Sequence, residues 1–245
     1  MAAPRLIMDF DGVVCDALEE CALVTWLGVH PPSPRVAVSS QLTAMPRGFV
    51  DRFRNIRGFA RLLEHFLVAH RPAAARITTR PQFETAFRAI ARAYVREFSR
   101  GASGARQRCR EEEPSFWLDL HTVYPGIAEL LRDRAGEVAV VTAKDESSVR
   151  AILEHHGLGD AVAEVIGECG RKADAVRDLC ARHGVSSATV TFVDDNLANV
   201  AAVAATGASA HWAMWGYHTA HDLADAARAG VRRLELGDLP LLAAG

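Results

Sequence analysis

From Tyr124-Pro125-Gly126 onward the chain alternates between short apolar runs and amphipathic stretches, and this alternation constrains the fold more than any other feature. Val138 to Thr142, Val162 to Ile166, Thr189 to Val193 and Ser209 to Met214 are too short for helices and are mostly β-branched or small apolar residues, so they read as buried strands. Glu146 to His156, Lys172 to His183 and Leu197 to Ala205 lie between them and read as helices. Repeated strand–helix–strand units imply a parallel sheet with helices on both faces. The expected class is α/β, with a Rossmann-like, doubly wound parallel sheet at its core.

A further apolar run, Leu6-Ile7-Met8, lies near the N-terminus and is expected to join this sheet. It ends in Asp9-Phe10-Asp11-Gly12. Side chains at i and i+2 of an extended backbone point to the same side, so Asp9 and Asp11 would address one site together. That site would lie past the carboxyl end of a strand, where open α/β sheets bind ligands. Gly12 lets the backbone turn sharply and offer N–H groups there. Two carboxylates this close repel, and a bound cation or a shared proton relieves the repulsion. The functional reading is a metal-assisted nucleophile beside a general acid/base. The structural alternative is a strand-end turn in which Asp11 and Gly12 serve only the turn.

Between these regions nothing alternates like a strand. Asp16 to Leu27 reads as a helix, and His30-Pro-Pro-Ser-Pro34 ends it. Arg47 to His70 shows helical spacing, with Phe49, Phe53, Ile56, Leu63, Phe66 and Leu67 inward, and Pro81 opens a helix to Phe98 with Phe83, Phe87, Ile90, Tyr94 and Phe98 inward. Gly101 to Pro114 is polar and contains two glycines, so a mobile connection is expected there. The expected organisation is a core of residues 1–15 and 120–245, with a mainly helical cap domain of residues 16–119 inserted after the first strand.

Charge divides the same way. Arg35 to Arg110 holds sixteen arginines, no lysine and only four acids, within a chain of net charge −2. Such asymmetry suggests two modules and an anionic partner for the basic one. The arginines are spread at helical intervals and aromatics fall on the apolar faces, which makes nucleic acid an unfavoured partner. A solvated arginine-rich surface is the structural alternative; Arg47, Arg54 and Arg57 are the candidates for substrate contact. Only Lys144 and Lys172 among 28 basic residues are lysines, so each is a better functional candidate than a lysine usually is. Five cysteines without C-x-x-C spacing argue against structural zinc or a disulfide framework. No apolar run approaches a membrane span and no secretory signal is evident, so a cytoplasmic protein is expected. His65, His70, His121, His155 and His156 read as surface or packing residues, and Cys15 as a small buried hydrophobe.

Further polar groups close the core elements. Thr142 ends a strand, and its hydroxyl with the next backbone N–H, that of Ala143, could bind a phosphoryl oxygen; alone it could equally be a helix N-cap. Lys172 opens a helix, where it could pair with phosphate and Asp9 or simply be solvated. Asp194 and Asp195 end another strand, where one of them could be an N-cap, although two acids exceed what capping needs.

Taken in order, Asp9-x-Asp11-Gly12, Thr142, Lys172 and Asp194-Asp195 resemble the four motifs of the haloacid dehalogenase superfamily, in its phosphatase branch. Trp215-Gly216-Tyr217 resembles a turn often seen there after the last strands. The resemblance implies that Asp9 attacks phosphorus and forms an aspartyl-phosphate, while Asp11 protonates the leaving oxygen and later activates water. It implies Mg²⁺ held by the Asp9 carboxylate, the Asp11 backbone carbonyl and Asp195, with Asp194 assisting. Thr142, Ala143 and Lys172 would bind the phosphoryl oxygens. The substrate implied is a small anionic phosphate monoester, such as a sugar phosphate or a nucleotide-like molecule. Asn199 stands where many members carry a further aspartate. Asp11 argues against dehalogenation, whose leaving group needs no proton, and an insert without lysine argues against Schiff-base phosphonate cleavage. A phosphomutase or phosphotransferase keeps all four motifs and is the nearest alternative, followed by a non-catalytic phosphate-binding module. A receiver-type switch places its acid pair and phospho-acceptor on different strands.

Overall fold

The structure is a computed structural model that describes residues 3–243. Leu6–Met8 (β1) is fully buried and is paired in parallel on both edges. Central strands of a covered parallel sheet carry apolar residues on both faces, which is why this run does not alternate. Cys15–Asp16 (β2) and Thr122–Val123 (β3) form a short antiparallel pair at the points where the inserted segment leaves and returns. Val138–Val141 (β4), Val162–Ile166 (β5), Thr191–Asp194 (β6), Ser209–Ala213 (β7) and Arg232–Leu234 (β8) complete the main sheet.

The order is β5-β4-β1-β6-β7-β8, and every pairing is parallel. The chain runs from β1 outward through β4 to β5, then crosses back to β6 on the other side of β1. The switch point of a doubly wound sheet therefore lies between β1 and β6, and a ligand crevice opens beyond their carboxyl ends. The doubly wound α/β class expected above is the observed one.

The helices are Leu18–Val29 (α1), Ser40–Ala44 (α2), Arg47–Arg57 (α3), Arg80–Arg88 (α4), Arg92–Glu112 (α5), Pro114–Asp119 (α6), Ile127–Asp133 (α7), Glu146–His155 (α8), Lys172–His183 (α9), Leu197–Ala204 (α10), Ala220–Ala229 (α11) and Leu239–Ala243 (α12). The chain divides into two compact units. One contains the residues up to Asp16, Thr122–His218 and the residues from Asp222 onward; the other contains Ala17–His121 with Thr219–His221. In the first, Ile7, Val141, Val176, Leu179, Phe192 and Trp212 pack between sheet and helices. In the second, Phe49, Phe53, Ile56, Phe66, Phe83 and Phe98 form a separate core.

The second unit departs from the sequence reading in three places. The helix expected over 47–70 stops at Arg57, because the chain turns at Gly58 to bury Phe59, whose ring stacks on Phe83 at 5.7 Å; a 3₁₀ segment, Leu63–His70, follows. The helix expected over 81–98 is two helices, with buried Ile90 at the break, and Tyr94 is exposed rather than inward. The segment 101–114 is no mobile connection, because α5 runs through it to Glu112. Its polar residues are a solvated helical face joined by i,i+4 bonds from Gln107 to Glu111 and from Arg108 to Glu112. The first of its two glycines has a packing cause: a Cβ on Gly101 would stand 2.6 Å from the carbonyl oxygen of Gly28 on α1. Fully buried Glu20 of α1 receives two bonds from Arg106 of α5, at 2.6 and 3.1 Å, which locks the same crossing. His70 and His121 are packing residues, each bonded to a carbonyl oxygen through one ring nitrogen, and Cys15 is fully buried.

Candidate active site

β1 ends where the backbone N–H of Asp9 donates to the Val193 carbonyl on β6, at 2.9 Å. This bond carries the parallel register one residue past β1 and sets Asp9 beside the end of β6, where Asp194 and Asp195 follow. Carboxylate oxygens of Asp9, Asp194 and Asp195 lie within 4.8 Å of one another. Lys172, the first residue of α9, reaches between them. Its Nζ lies 2.7 Å from Asp9 Oδ1, 3.2 Å from Asp194 Oδ2 and 2.5 Å from the Val141 carbonyl at the end of β4. Four of the residues singled out in the sequence thus meet at the switch point.

The structural alternatives weighed for these residues do not hold. Asp194 and Asp195 are not the N-cap of α10; Asn196 is, its Oδ1 accepting from Ala198 and Asn199. Thr142 is not the N-cap of α8 either, because Asp145 fills that position and accepts from Ser148. The Thr142 hydroxyl oxygen accepts instead from the Lys144 N–H at 3.2 Å, which leaves its hydrogen to donate elsewhere. Thr142 is buried and Ala143 beside it is exposed, both just past the end of β4. Lys172 is 5% exposed and is not a solvated lysine.

Each acid is oriented by the backbone around it. Asp194, fully buried, accepts from the Asn196 N–H at 2.7 Å and from Asn199 Nδ2 at 3.1 Å. An amide at 199 gives Asp194 a donor where an aspartate would have added another negative charge. Asp195 Oδ2 accepts from the Tyr217 N–H at 2.6 Å, so the Trp215-Gly216-Tyr217 turn fixes that carboxylate. Gly12 and Gly216 pack directly on it: a Cβ on Gly216 would stand 2.4 Å from Asp195 Cβ and 2.3 Å from the Gly12 carbonyl oxygen.

Burial, the largest cause, pushes the Asp194 carboxyl upward; Lys172 opposes this and the neighbouring Asp9 carboxylate adds to it. Burial pulls Lys172 down, but Asp194 and Asp9 outweigh it, and the ammonium keeps its proton above the usual lysine range. The local charge balance has an excess of acid, and three carboxylates this close together suit a hard cation.

One site residue has no place in the motif reading. Lys144 Nζ lies 3.1 and 3.3 Å from the two carboxylate oxygens of Asp11. Its rarity in this chain was the only sequence signal, since it lies in a loop where no periodicity predicts direction. Arg47, Arg54 and Arg57 all lie on α3 in the other unit. Arg47 and Arg54 are exposed, while the Arg57 guanidinium covers the Phe66 ring at 5.3 Å.

Sheet order and acid cluster together define a doubly wound α/β protein whose acid cluster lies beyond the ends of β1 and β6. The chain belongs to the haloacid dehalogenase-like hydrolases: the model of that family matches residues 5–207. Among solved structures it is similar to a protein described as a predicted phosphoglycolate phosphatase, from Haemophilus somnus 129PT, with 18% identity, TM-score 0.64, and 98% of this chain and 97% of that one covered. It is also similar to a haloacid dehalogenase-like family hydrolase from Streptococcus pneumoniae, with 16% identity, TM-score 0.59 and the same coverage. A third, described as a predicted phosphatase from Clostridium acetobutylicum, shares 15% identity at TM-score 0.51 over 96% of this chain and 94% of that one. No curated protein matches the chain significantly. Among the described residues, no helix is long and apolar enough to cross a membrane.

Proposed function

We propose that the chain is a Mg²⁺-dependent phosphatase that hydrolyses a small phosphate monoester through an aspartyl-phosphate on Asp9. The observation that carries this reading is the Lys172 ammonium set between Asp9 and Asp194, with Asp195 completing the acid cluster. A lone carboxylate nucleophile and a dianionic phosphate repel, and this site supplies the means to offset that repulsion.

In the first half-reaction an Asp9 carboxylate oxygen attacks phosphorus, the bond from phosphorus to the ester oxygen breaks, and Asp11 gives its proton to that departing oxygen. In the second, water attacks the same phosphorus, Asp11 takes the proton, and the bond to Asp9 breaks to return the carboxylate and release phosphate. Lys172 and the Thr142 hydroxyl, with the Ala143 N–H, bind the equatorial oxygens on which charge spreads. Asp9, Asp195, the Asp11 carbonyl and Asp194 would hold Mg²⁺, which supplies positive charge against the phosphoryl oxygens. In this reading residues 16–119 are the cap domain and residues 1–15 and 120–245 the core domain. Arg47, Arg54 and Arg57 are the proposed contacts to an anionic substrate, and the arginine-rich charge of their unit supports this. A cytoplasmic location belongs to the same reading, supported by five cysteines that lack the spacing of a disulfide framework.

The test is phosphate release from a panel of monoesters, phosphoglycolate among them because similar structures carry that description. Wild type is expected to turn over at least one ester with Mg²⁺ and to stop on chelation, and Asp9→Asn to lose more than about 10³-fold in kcat. Metal-independent release, or release surviving Asp9→Asn, overturns the mechanism.

A further inference from the structure

We propose that Lys144 is a positioning residue that holds the Asp11 carboxylate in the orientation proton transfer needs; this rests on the phosphatase reading, in which Asp11 moves the protons. Two nearly equal distances, 3.1 and 3.3 Å, put the ammonium astride the carboxylate, in contact with both of its oxygens. The pair is not a surface ion pair. The Lys144 side chain is 3% exposed and that of Asp11 21%, so the cation is enclosed while the carboxylate stays open on one side. An enclosed ammonium is costly unless a partner meets it, and the Asp11 carboxylate meets this one.

The backbone that aims Lys144 is itself fixed. Its N–H donates to Thr142 Oγ1, and its carbonyl accepts from the Glu168 N–H at 3.0 Å. Glu168 adopts a left-handed φ of +52° to make that approach, and a Cβ on Gly167 would stand 2.9 Å from the Lys144 carbonyl oxygen. The loop after β5 therefore clamps the loop after β4. The two lysines of this chain stand one to each aspartate of the Asp9-x-Asp11 pair: Lys172 on Asp9 and Lys144 on Asp11. Everywhere else the chain uses arginine, and a compact ammonium fits where a planar fork would not. A general acid displaced by about 1 Å loses much of its effect, so an ion pair that fixes Asp11 acts directly on the rate.

The experiment compares kcat/KM for an alkyl phosphate, glycerol phosphate, with that for p-nitrophenyl phosphate, in Mg²⁺. This ratio covers the steps through departure of the leaving group. An alkoxide needs the Asp11 proton to leave, whereas p-nitrophenolate does not. Lys144→Met is expected to lower kcat/KM by roughly 10- to 100-fold on the alkyl ester and by less than about threefold on the aryl ester. Lys144→Met should add no further loss in an Asp11→Asn background. Equal losses on both esters, or a full additional loss in that background, would show that Lys144 serves substrate binding or folding and overturn the proposal. Should Lys144→Met melt well below wild type, Lys144→Gln carries the same comparison. Wild type inert on both esters and on the whole monoester panel removes the phosphatase reading and this proposal with it; active wild type with equal losses removes this proposal alone.

Discussion

Gly12 turns the chain directly after Asp11 at a φ of +90°, a conformation that side chains rarely adopt. A Cβ there would stand 2.1 Å from Asp195 Oδ2 and 2.8 Å from the Tyr217 ring. Those atoms cannot both withdraw, because Asp195 Oδ2 is held by the Tyr217 N–H. Gly12→Ala should therefore cost roughly 1–3 kcal/mol from backbone strain and displace Asp195 as well. Denaturant unfolding should show the destabilisation, and kcat should fall more than about tenfold. An alanine variant with wild-type stability and turnover would mean that the packing around Asp195 is not as described. At this scale much of the site was legible, for a definite reason. An apolar run that stops at a polar residue marks a strand end, and parallel strands bring their carboxyl ends together, so Asp9, Thr142 and Asp194 could be placed near one another from pattern alone. Lys144 could not, because two residues beyond a strand no period says where a side chain points. The caps Asp145 and Asn196 were missed because each turn offers more than one capping residue, Thr142 before Asp145 and Asp194 and Asp195 before Asn196, and only geometry tells them apart.

Helix α5 shows the converse, an element that pattern misjudged. Glycine in a polar stretch reads as a breaker when its cause is local, but Gly101 is there because α1 passes against it. Close approach between distant segments leaves no periodic trace in sequence. Two substitutions in this one helix should have opposite signs. Gly101→Ala drives a Cβ to 2.6 Å from the Gly28 carbonyl oxygen and should destabilise, since backbone on both sides must shift. Gly104→Ala meets nothing within 4 Å and should stabilise by about 1 kcal/mol through helix propensity. Chemical unfolding of the two variants beside wild type checks both, and the same sign for both would refute the crossing. Within the first unit the elements expected from Val138 to Met214 are present with ends shifted by at most about two residues, because buried parallel strands and their crossover helices carry strong local signals. Beyond Tyr217 the sequence reading proposed nothing, and α11, β8 and α12 lie there. The edge strand β8 exposes Arg232 and Arg233 and buries only Leu234, so it lacks the apolar run that announced the others.

For the whole molecule, the protons taken up on unfolding link one buried ring to global stability. His70 stacks near Trp26 and Phe49, and its Nε2–H donates to the Thr25 carbonyl at 2.9 Å. Burial, the largest cause, lowers its pKa to about 4, only partly opposed by the bond to Thr25 and aided by His30 and Arg52. The folded ring therefore stays neutral between pH 6.5 and about 4, whereas the unfolded ring takes a proton there. More protons on the unfolded state means that stability falls as pH falls through this window. From pH 7.5 to pH 5 this one group should remove about 2 kcal/mol. His65, lowered chiefly by burial, adds to the loss in the same direction. Glu113 and Glu164 are lowered despite burial by the hydrogen bonds they accept, so their contribution also disappears on acidification, but below the ordinary glutamate range. His70→Gln keeps a donor for the Thr25 carbonyl and removes the titration. Urea unfolding at pH 7.5 and pH 5 should show a stability difference smaller by about 2 kcal/mol in His70→Gln than in wild type, whatever the offset at pH 7.5. Equal pH dependence in the two proteins would mean that the ring takes up its proton in the folded state, against the burial described for it.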